Sequence, residues 1–340
     1  MKIILSRIQF FLLVFIIQTG VVFITFQSSI INYGGRDAWL IFILASILFY
    51  IQLLLYEKGY HYFHLGRILS WMYEIYWLIV NIGIIVTVDY ILAIWAFPNT
   101  PHFIIIALMV LVSFYANMGR PETVLNLGAI FIPLIALFVL FLLLAYDDLV
   151  WTNILPLGTS TLKQWGEGLL YAQIVFLGSE VYLIYRKYVN ASDERMKKPL
   201  FWYWFTVTVF LLGSILIVLL YFSMAEIKII QEPLLYVLKS QEVTFLERLD
   251  LFFLYIWIIW SIVTFTMLSF TKILVHRHNN KRHKRVYTIV CHLLLIIIPS
   301  FLIRLEVMNI LRYVIIPLYI LFSMIIPFFV ILIGWRKRQK

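Results

Sequence analysis

A short polar stretch, Gly178-Ser179-Glu180, interrupts a segment that is otherwise apolar enough to cross a lipid bilayer. A carboxylate at membrane depth is costly to bury, so an acid in such a place is a candidate for function. Glu180 could bind an ammonium group or a cation, and it could exchange a proton. In the structural alternative, a protonated Glu180 forms a hydrogen bond to a neighbouring helix and binds no ligand.

The composition of the chain indicates what kind of helices position this stretch. Of the 340 residues, 63% are hydrophobic and only 13% are charged, whereas a soluble domain has about 25% charged residues. These values predict an all-α polytopic membrane protein, with the lipid bilayer around a single integral membrane domain, residues 1–340. No phosphate loop, hydrolase elbow, metalloprotease helix or dinucleotide fingerprint occurs. We therefore expect neither an enzyme nor a cofactor.

The apolar runs predict ten transmembrane helices, because a spanning helix needs about 20 mostly apolar residues. The first run is longer than the roughly 7 to 15 apolar residues of a signal peptide, so we interpret it as a helix of the protein. The ten predicted spans are 8–31, 39–56, 68–95, 102–118, 123–145, 168–188, 200–222, 249–275, 286–303 and 311–335.

The distribution of charge predicts the orientation of these helices. With the N terminus inside, the inner loops hold most of the 27 basic residues and the outer loops hold most of the 17 acidic residues, as the positive-inside rule requires. Both termini are therefore predicted to be cytoplasmic. The net charge of +10 follows from this topology and does not require a nucleic-acid partner. The densest basic run, 276–285, is expected to be a solvated inner loop that contacts anionic headgroups.

Metal and disulfide chemistry have little support in the sequence. His61 and His64 have a spacing that could hold a metal ion, but two ligands without a third are weak support, and we expect no metal. The single cysteine, Cys291, cannot form an intrachain disulfide. Its position within an apolar run indicates a small buried hydrophobic residue.

The ten predicted helices divide into two halves of five, residues 1–150 and 151–340. Because each half has an odd number of helices, the second half starts on the opposite side of the membrane and crosses it in the opposite sense. The first helix of each half is interrupted at its middle, 8–31 at Gln18-Thr19-Gly20 and 168–188 at Gly178-Ser179-Glu180. This pattern is typical of a 5+5 inverted repeat, in which interrupted helices 1 and 6 expose backbone groups to a substrate near the bilayer centre.

The two interruptions together predict a binding site for a solute the size of an amino acid. N–H groups at a half-helix N terminus would hold a carboxylate, and Glu180 with free carbonyl groups would hold an ammonium group. Glycine is also common wherever membrane helices pack closely, so either Gly20 or Gly178 could be a packing contact instead. The candidate ligand-binding residues are Gln18, Thr19, Gly20, Gly178, Ser179 and Glu180.

Other polar or helix-breaking residues lie inside the predicted spans. Glu74 and Asp89 are secondary candidates in the third helix, where each is near enough to an end to reach water by snorkelling. Prolines within spans are expected to kink their helices, and neighbouring helices can then supply donors to the freed carbonyl groups. These prolines are Pro133, Pro299, Pro317 and Pro327.

Five short motifs occur along the chain in a recognisable order and spacing. They are Ser6-Arg7-Ile8-Gln9-Phe10, Gly35-Arg36-Asp37-Ala38-Trp39, Pro98-Asn99-Thr100-Pro101, Phe176-Leu177-Gly178-Ser179-Glu180, and Glu247-Arg248-Leu249-Asp250 with Trp257. Together they resemble the spore-germination permeases, which are the B subunits of bacterial germinant receptors and a branch of the amino acid–polyamine–organocation transporter superfamily. The resemblance covers essentially the whole chain.

This resemblance implies a protein of the endospore inner membrane that senses a small nutrient, often an amino acid. It also implies two partners, a larger A subunit and a lipoprotein C subunit, and a nutrient site at Thr19, Gly20, Gly178, Ser179 and Glu180. A second hypothesis is an active secondary amino-acid transporter, coupled to protons through Glu180. A third is a structural membrane subunit without a ligand of its own. The sequence does not separate the first two, because a receptor can keep every feature of a transporter.

Overall fold

The structure is a computed structural model, and it describes residues 4–190, 196–241, 248–279, 284–304 and 308–339. Within these ranges the regular elements are helices, and one isolated bridge pairs the extended residues Leu5 and Val189. Glu247 and part of the basic run 276–285 lie outside the described residues.

The α-helices are α1 (Arg7–Thr19), α2 (Gln27–Gly34), α3 (Ala38–Gly59), α4 (Arg67–Trp95), α5 (His102–Met118), α6 (Pro121–Leu143), α7 (Leu162–Gln173), α8 (Val181–Tyr185), α9 (Lys197–Tyr221), α10 (Met224–Ile227), α11 (Pro233–Lys239), α12 (Leu249–Asn279), α13 (Lys284–Arg304), α14 (Met308–Tyr319) and α15 (Ile326–Gln339).

The helices confirm the class of an all-α polytopic membrane protein. In the described part of the chain, eight segments are long and apolar enough to cross a membrane. The helices α1 and α5 are shorter, with 13 and 17 residues. The number of ten crossings and the inverted repeat stay predictions. The eight segments are Gln27–Tyr62, Arg67–Trp95, Pro121–Asp148, Leu162–Tyr188, Lys197–Tyr221, Leu249–His276, Arg285–Ile303 and Tyr313–Lys337.

A turn divides the first of these segments, although it has 36 residues in total. Gly35 ends α2 with a φ of 54°, a conformation that residues with a Cβ atom rarely adopt. Asp37 then fixes the turn, because its carboxylate accepts hydrogen bonds from the N–H groups of Gly158 at 2.7 Å and Ser160 at 3.1 Å. These bonds attach the start of α3 to the segment that precedes α7.

Capping boxes start the two helices that the sequence marks as interrupted. At α1, Ser6 Oγ accepts from the N–H of Gln9 at 3.2 Å and Gln9 Oε1 accepts from the N–H of Ser6 at 3.0 Å. At α7, Thr161 and Gln164 form the same reciprocal pair. Each box satisfies two N–H groups that a helix start otherwise leaves free. This cap explains why α7 begins at Leu162, six residues before the predicted 168.

The helix α12 lies at the centre of the bundle and packs against α1, α4, α5 and α6. It extends beyond the predicted end at 275 and continues to Asn279. The expectation that the whole run 276–285 is a solvated loop is therefore wrong at its start, because His276 lies on this helix and is buried. The outward faces of helices such as α5 expose Phe103, Leu108 and Val112, as lipid-facing helices do.

Candidate functional site

The first interruption separates α1 from α2. The helix α1 ends at Thr19, a 3-10 turn runs over Val22–Ile24, and α2 begins at Gln27. Hydroxyl groups of α12 donate to carbonyl groups at this break. Ser261 Oγ donates to Gly20 O at 3.1 Å, and Thr264 Oγ1 donates at 2.7 Å to Ile16 O, which also accepts from the N–H of Gly20. The break is thus held against the central helix.

The second interruption separates α7 from α8. A 3-10 turn over Ile174–Phe176 follows α7, and the chain then turns at Gly178, whose φ is +90°. Side chains larger than hydrogen disfavour this backbone conformation, so the turn requires glycine. Ser179 and Glu180 follow directly and lead into α8.

The two interruptions are in contact with each other. Gln18 Nε2 donates to the carbonyl oxygen of Phe176 at 3.4 Å, and Gln18 Oε1 accepts from the hydroxyl of Tyr203 in α9. Gly178 lies against Ile17 of α1. Thr19 instead donates to Phe15 O within its own helix at 2.7 Å. The structure therefore brings the two predicted breaks together.

Gly20 and Gly178 each allow a side chain of another helix to lie close to the backbone. A Cβ atom at Gly20 would lie 2.0 Å from Thr264 Oγ1, and a Cβ atom at Gly178 would lie 2.6 Å from Ile17 Cγ2. We expect Gly20→Ala and Gly178→Ala each to lower the free energy of unfolding by roughly 1–3 kcal/mol, the usual cost of overpacking. The loss should appear as a lower melting temperature and a lower yield of monodisperse protein in detergent.

The matched control for these two variants is Gly213→Ala. Gly213 lies within α9, where an added Cβ atom meets nothing within 4 Å. Alanine should be neutral there or stabilise the helix by about 1 kcal/mol or less. If Gly20→Ala and Gly178→Ala melt like the Gly213 variant, the two breaks are not packed as described.

Glu180 is buried and accepts two hydrogen bonds. Trp77 Nε1 of α4 donates to Oε1 at 2.9 Å, and Ser323 Oγ donates to Oε2 at 2.5 Å. Ser179 is buried beside it and accepts from Gln52 Nε2 of α3 at 3.2 Å. The second break thus contacts α3, α4 and the last part of the chain, three elements that are far apart in sequence.

Ser323 reaches Glu180 from a π-helical segment, Ile320–Ile325, which joins α14 to α15. Pro327 follows this segment and has no N–H group to donate to the carbonyl groups one turn earlier. Side chains of other helices supply the donors: Gln52 Nε2 and the Tyr56 hydroxyl donate to Ser323 O, and the Tyr73 hydroxyl donates to Phe322 O at 2.7 Å. The expectation that neighbouring helices satisfy freed carbonyl groups is confirmed at this proline.

Gln52, Trp77 and Ser323 are not among the residues predicted from the sequence. One signal in the sequence could have indicated Ser323, because it lies four residues before Pro327 and its carbonyl group loses the usual helical donor. Nothing in the spacing indicates Gln52 or Trp77, which lie 127 and 103 residues from their partners Ser179 and Glu180.

Three polar atoms around Glu180 form no hydrogen bond of regular geometry in the described part of the chain. They are the hydroxyls of Tyr76 and Tyr319 and Gln52 Oε1, and all three are buried. The Tyr76 side chain is adjacent to Glu180, and the Tyr319 side chain is adjacent to Ser179. Buried polar groups in proteins are nearly always hydrogen-bonded. These groups make the surroundings of Glu180 polar, although they are buried.

A cavity of about 120 Å³ lies next to the two interruptions. Ile17 and Val21 flank the first break and Leu177 precedes Gly178, so the cavity is bounded by the immediate neighbours of the predicted residues. Gln18, Thr19, Gly20, Gly178, Ser179 and Glu180 do not line it, and ligand binding by them stays a prediction. The lining residues are Ile17, Val21, Val22, Thr25, Phe26, Ser29, Val80, Gly83, Ile84, Thr87, Tyr171, Ile174, Leu177, Thr264, Leu268, Ile315 and Ile316.

The described residues of this lining contribute aliphatic and aromatic side chains together with hydroxyl groups, and none of them is charged. Thr25, Ser29, Thr87 and Thr264 come from α1–α2, α4 and α12, so several helices present hydroxyls to one space. The arrangement can hold a small solute through a few hydrogen bonds and apolar contact, as ligand sites in proteins commonly do.

The secondary candidates Glu74 and Asp89 belong to neither the cavity nor the Glu180 cluster. Asp89 Oδ2 lies 2.7 Å from His102 Nδ1, and Glu74 Oε2 accepts from the Tyr287 hydroxyl at 2.7 Å and lies 3.1 Å from His276 Nδ1. The expectation that they reach water is wrong, because both acids are at most 5% exposed. The neighbouring helices α5, α12 and α13 cover them.

Among the described residues, no group of three or more His, Cys, Asp or Glu side chains could hold a metal ion.

Comparison with protein families gives a match over most of the chain. The family model described as spore germination protein matches residues 4–299 of this chain. The matched range includes both interruptions together with Gln52 and Trp77, whereas Ser323 and Pro327 follow it. No curated protein matches the chain at a significant level.

Proposed function

The chain belongs to the spore germination protein family, and we propose that it is the membrane subunit of a germinant receptor that binds a small nutrient between its two broken helices. The observation that carries this proposal is the contact between the breaks beside a cavity of about 120 Å³. Two chain breaks in contact are costly to maintain in a membrane, because every backbone group must find a partner. A binding function gives a reason for that cost.

The chemistry of the cavity supports an amino acid or a similar solute as the nutrient. Phe26, which precedes α2, forms no side-chain cap, so N–H groups of the first turn of α2 can hold a carboxylate. Ser29 and Thr25 add hydroxyl groups at the same place, and Val80 and Ile84 offer apolar contact to a side chain. Glu180 lies behind the second break, where it would balance the charge of an ammonium group.

A signal can reach the inner end of the protein through the two broken helices. Leu5 N donates to Tyr188 O at 2.8 Å and Asn190 N donates to Leu5 O at 3.0 Å, so the chain before α1 and the chain after α8 are joined. We propose that nutrient binding biases this joined pair between two positions. The larger A subunit and the lipoprotein C subunit would read that change in the inner membrane of the endospore, with ten crossings of the bilayer and both termini on the cytoplasmic side.

A screen of single nutrients against spores with and without this subunit tests the proposal. A nutrient that acts through the subunit should fail in spores that carry Thr87→Phe, because Thr87 lines the cavity and the larger side chain fills it. We expect the nutrient concentration for a half-maximal response to rise about tenfold or more, which corresponds to a loss of about 1.4 kcal/mol in binding free energy.

The control for this variant is Val112→Phe, which adds a phenyl ring on the exposed face of α5. It should leave both the amount of protein and the nutrient response unchanged. An equal response of the Thr87→Phe spores and the wild-type spores would exclude the cavity as the nutrient site.

An active secondary transporter is the second candidate, and the position of Glu180 at the break between α7 and α8 favours it. A carboxylate there could carry a proton with the solute. Uptake of radiolabelled amino acids into liposomes that contain only this chain separates the two candidates. Saturable uptake driven by a proton gradient would exclude a receptor without transport, and binding without uptake would exclude the transporter. The absence of both would leave a structural subunit.

A further inference from the structure

A second cavity, of about 110 Å³, lies apart from the first and shares no lining residue with it. It lies between the segment before α4, the 3-10 turn Arg186–Tyr188 after α8, and the second half of α12. The predicted orientation places all three at the inner side of the membrane. Its polar lining residues are His64, Ser70, Lys187 and Tyr188.

Lys187 makes this cavity basic. Its ammonium group donates to the carbonyl oxygen of Phe63 and lies 5.9 Å from the centre of the Phe63 ring. An ammonium group has three N–H donors, so two remain for another acceptor. Within the described ranges, no carboxylate lines the cavity and Lys187 forms no ion pair. The cavity therefore has an excess of positive charge when Lys187 is protonated.

Ser70 supplies a second and independent indication of a ligand. It is 1% exposed and lines the cavity, so it places a buried hydroxyl group on the cavity wall. Ser70 lies in the first turn of α4, a helix whose N-cap, Gly66, provides no side-chain acceptor. The helix start is electropositive and its first N–H groups lack helical acceptors, which favours an anion nearby.

From these contacts we infer that the inner cavity is a binding site for a phosphate group, carried either by an anionic phospholipid of the inner leaflet or by a free phosphate ion. Lys187 would pair with the phosphate, and Ser70 and Tyr188 would donate hydroxyl hydrogen bonds to its oxygens. A cavity of about 110 Å³ has room for such a group, since a water molecule needs roughly 10–15 Å³ on this measure. Basic pockets between helices at the cytoplasmic side are suited to lipid headgroups.

Occupancy of this site would stabilise the inner end of the second broken helix. Lys187 and Tyr188 lie in the turn that directly follows α8, and the carbonyl oxygen of Tyr188 accepts from Leu5 N. A phosphate bridging Lys187 and Ser70 would attach this turn to α4. The site is thus independent of the nutrient cavity, and its existence does not depend on the proposed receptor function.

Binding to the full chain, purified in a detergent free of phospholipid, tests this inference. Native mass spectrometry and thermal unfolding would be recorded with short-chain phosphatidylglycerol in one arm and with inorganic phosphate in the other. We expect phosphate-bearing adducts and a higher melting temperature in at least one arm. Lys187→Gln should weaken that binding by about tenfold or more, because it removes a charged hydrogen bond. Lys187→Arg should keep it within about threefold.

Lys58→Gln is the matched control, because Lys58 is exposed near the inner end of α3 and does not line the cavity. It should bind as the wild type does. Ser70→Ala retains all charges and should weaken binding about threefold to tenfold, which tests the site even if Lys187→Gln fails to fold. Equal losses in the Lys58 and Lys187 variants, or no loss in Ser70→Ala and Lys187→Gln, would overturn the inference, as would the absence of binding in both arms. The ligand that binds, phosphatidylglycerol or inorganic phosphate, identifies the source of the phosphate group.

Discussion

Spores that carry Glu180→Ala are expected to need roughly 10 to 100 times more nutrient for a half-maximal response than wild-type spores. The carboxylate accepts from Trp77 Nε1 at 2.9 Å and from Ser323 Oγ at 2.5 Å. Alanine leaves both donors without an acceptor in a buried place. A hydrogen bond to a charged group contributes about 1.5–3 kcal/mol, and each 1.4 kcal/mol is about a tenfold change in affinity. The dose response is measured at equal protein amounts, determined by immunoblot of spore membranes.

Glu180→Gln separates a functional carboxylate from a structural one. A protonated carboxyl and an amide both offer one acceptor oxygen and at least one donor. Glutamine should therefore preserve the response if a neutral Glu180 only joins α4 to the π-helical segment Ile320–Ile325. We expect a loss of about tenfold instead, because the negative charge would be needed at the site. An unchanged dose response would remove Glu180 from the candidate site.

A control for the loss of an acid is Glu226→Gln. Glu226 is exposed and accepts from the N–H of Ser223 at 2.7 Å in the capping box of α10. Glutamine can form the same box, so both the stability and the response should match the wild type. A changed response in this variant would indicate that the assay reports any loss of negative charge.

Replacing Arg186 by methionine is expected to lower the free energy of unfolding by roughly 3 kcal/mol. Arg186 binds Glu57 through two hydrogen bonds, from Nε at 2.8 Å and from Nη2 at 2.9 Å, and its guanidinium lies 4.4 Å from the centre of the Tyr60 ring. The Tyr182 hydroxyl donates to the same carboxylate at 2.6 Å. Breaking a buried pair costs about 3–5 kcal/mol, and we expect the lower value because Glu57 is 16% exposed.

The double variant Glu57→Gln with Arg186→Met tests whether the loss comes from the pair. With Glu57 neutral, no uncompensated charge remains, so much of the stability should return. The exposed pair of Lys163 and Glu167, at 3.9 Å within α7, is the control, and Lys163→Met should change stability by less than about 1 kcal/mol. Thermal unfolding in detergent of the wild type, Glu57→Gln, Arg186→Met and the double variant gives the four values of the cycle. Additive losses in the double variant would mean that Arg186 and Glu57 act independently.

The ion pair of Arg186 and Glu57 lies where a movement of the broken helices would be felt by α3. Arg186 directly follows α8 and Glu57 lies in the last turn of α3. The backbone hydrogen bonds of Leu5 attach the start of α1 to the chain just after Arg186. The ion pair of Arg186 and Glu57 and the hydrogen bond from Tyr182 therefore connect the inner ends of both broken helices to α3. A nutrient that moves the breaks would have to rearrange this pair.

Local features of the sequence were sufficient for the class of the protein and for the positions of the two breaks. Long apolar runs predict membrane helices because the backbone must satisfy itself within the bilayer, and α4 and α12 begin within one residue of the predicted positions. The breaks at Gly20 and Gly178 are visible because glycine and polar residues interrupt those runs. Family membership, which the motifs indicated, agrees with the match over residues 4–299.

Only the tertiary structure decided which groups these residues contact. Glu74 and Asp89 lie near helix ends in the sequence, yet neighbouring helices bury both. Arg186 and Glu57 are 129 residues apart, and Ser323 and Glu180 are 143 residues apart. No periodicity encodes such pairs, because they depend on how helices with similar apolar surfaces rotate and cross. Lipid-facing and helix-facing side chains are chemically alike, so close packing and hydrogen bonding select the arrangement.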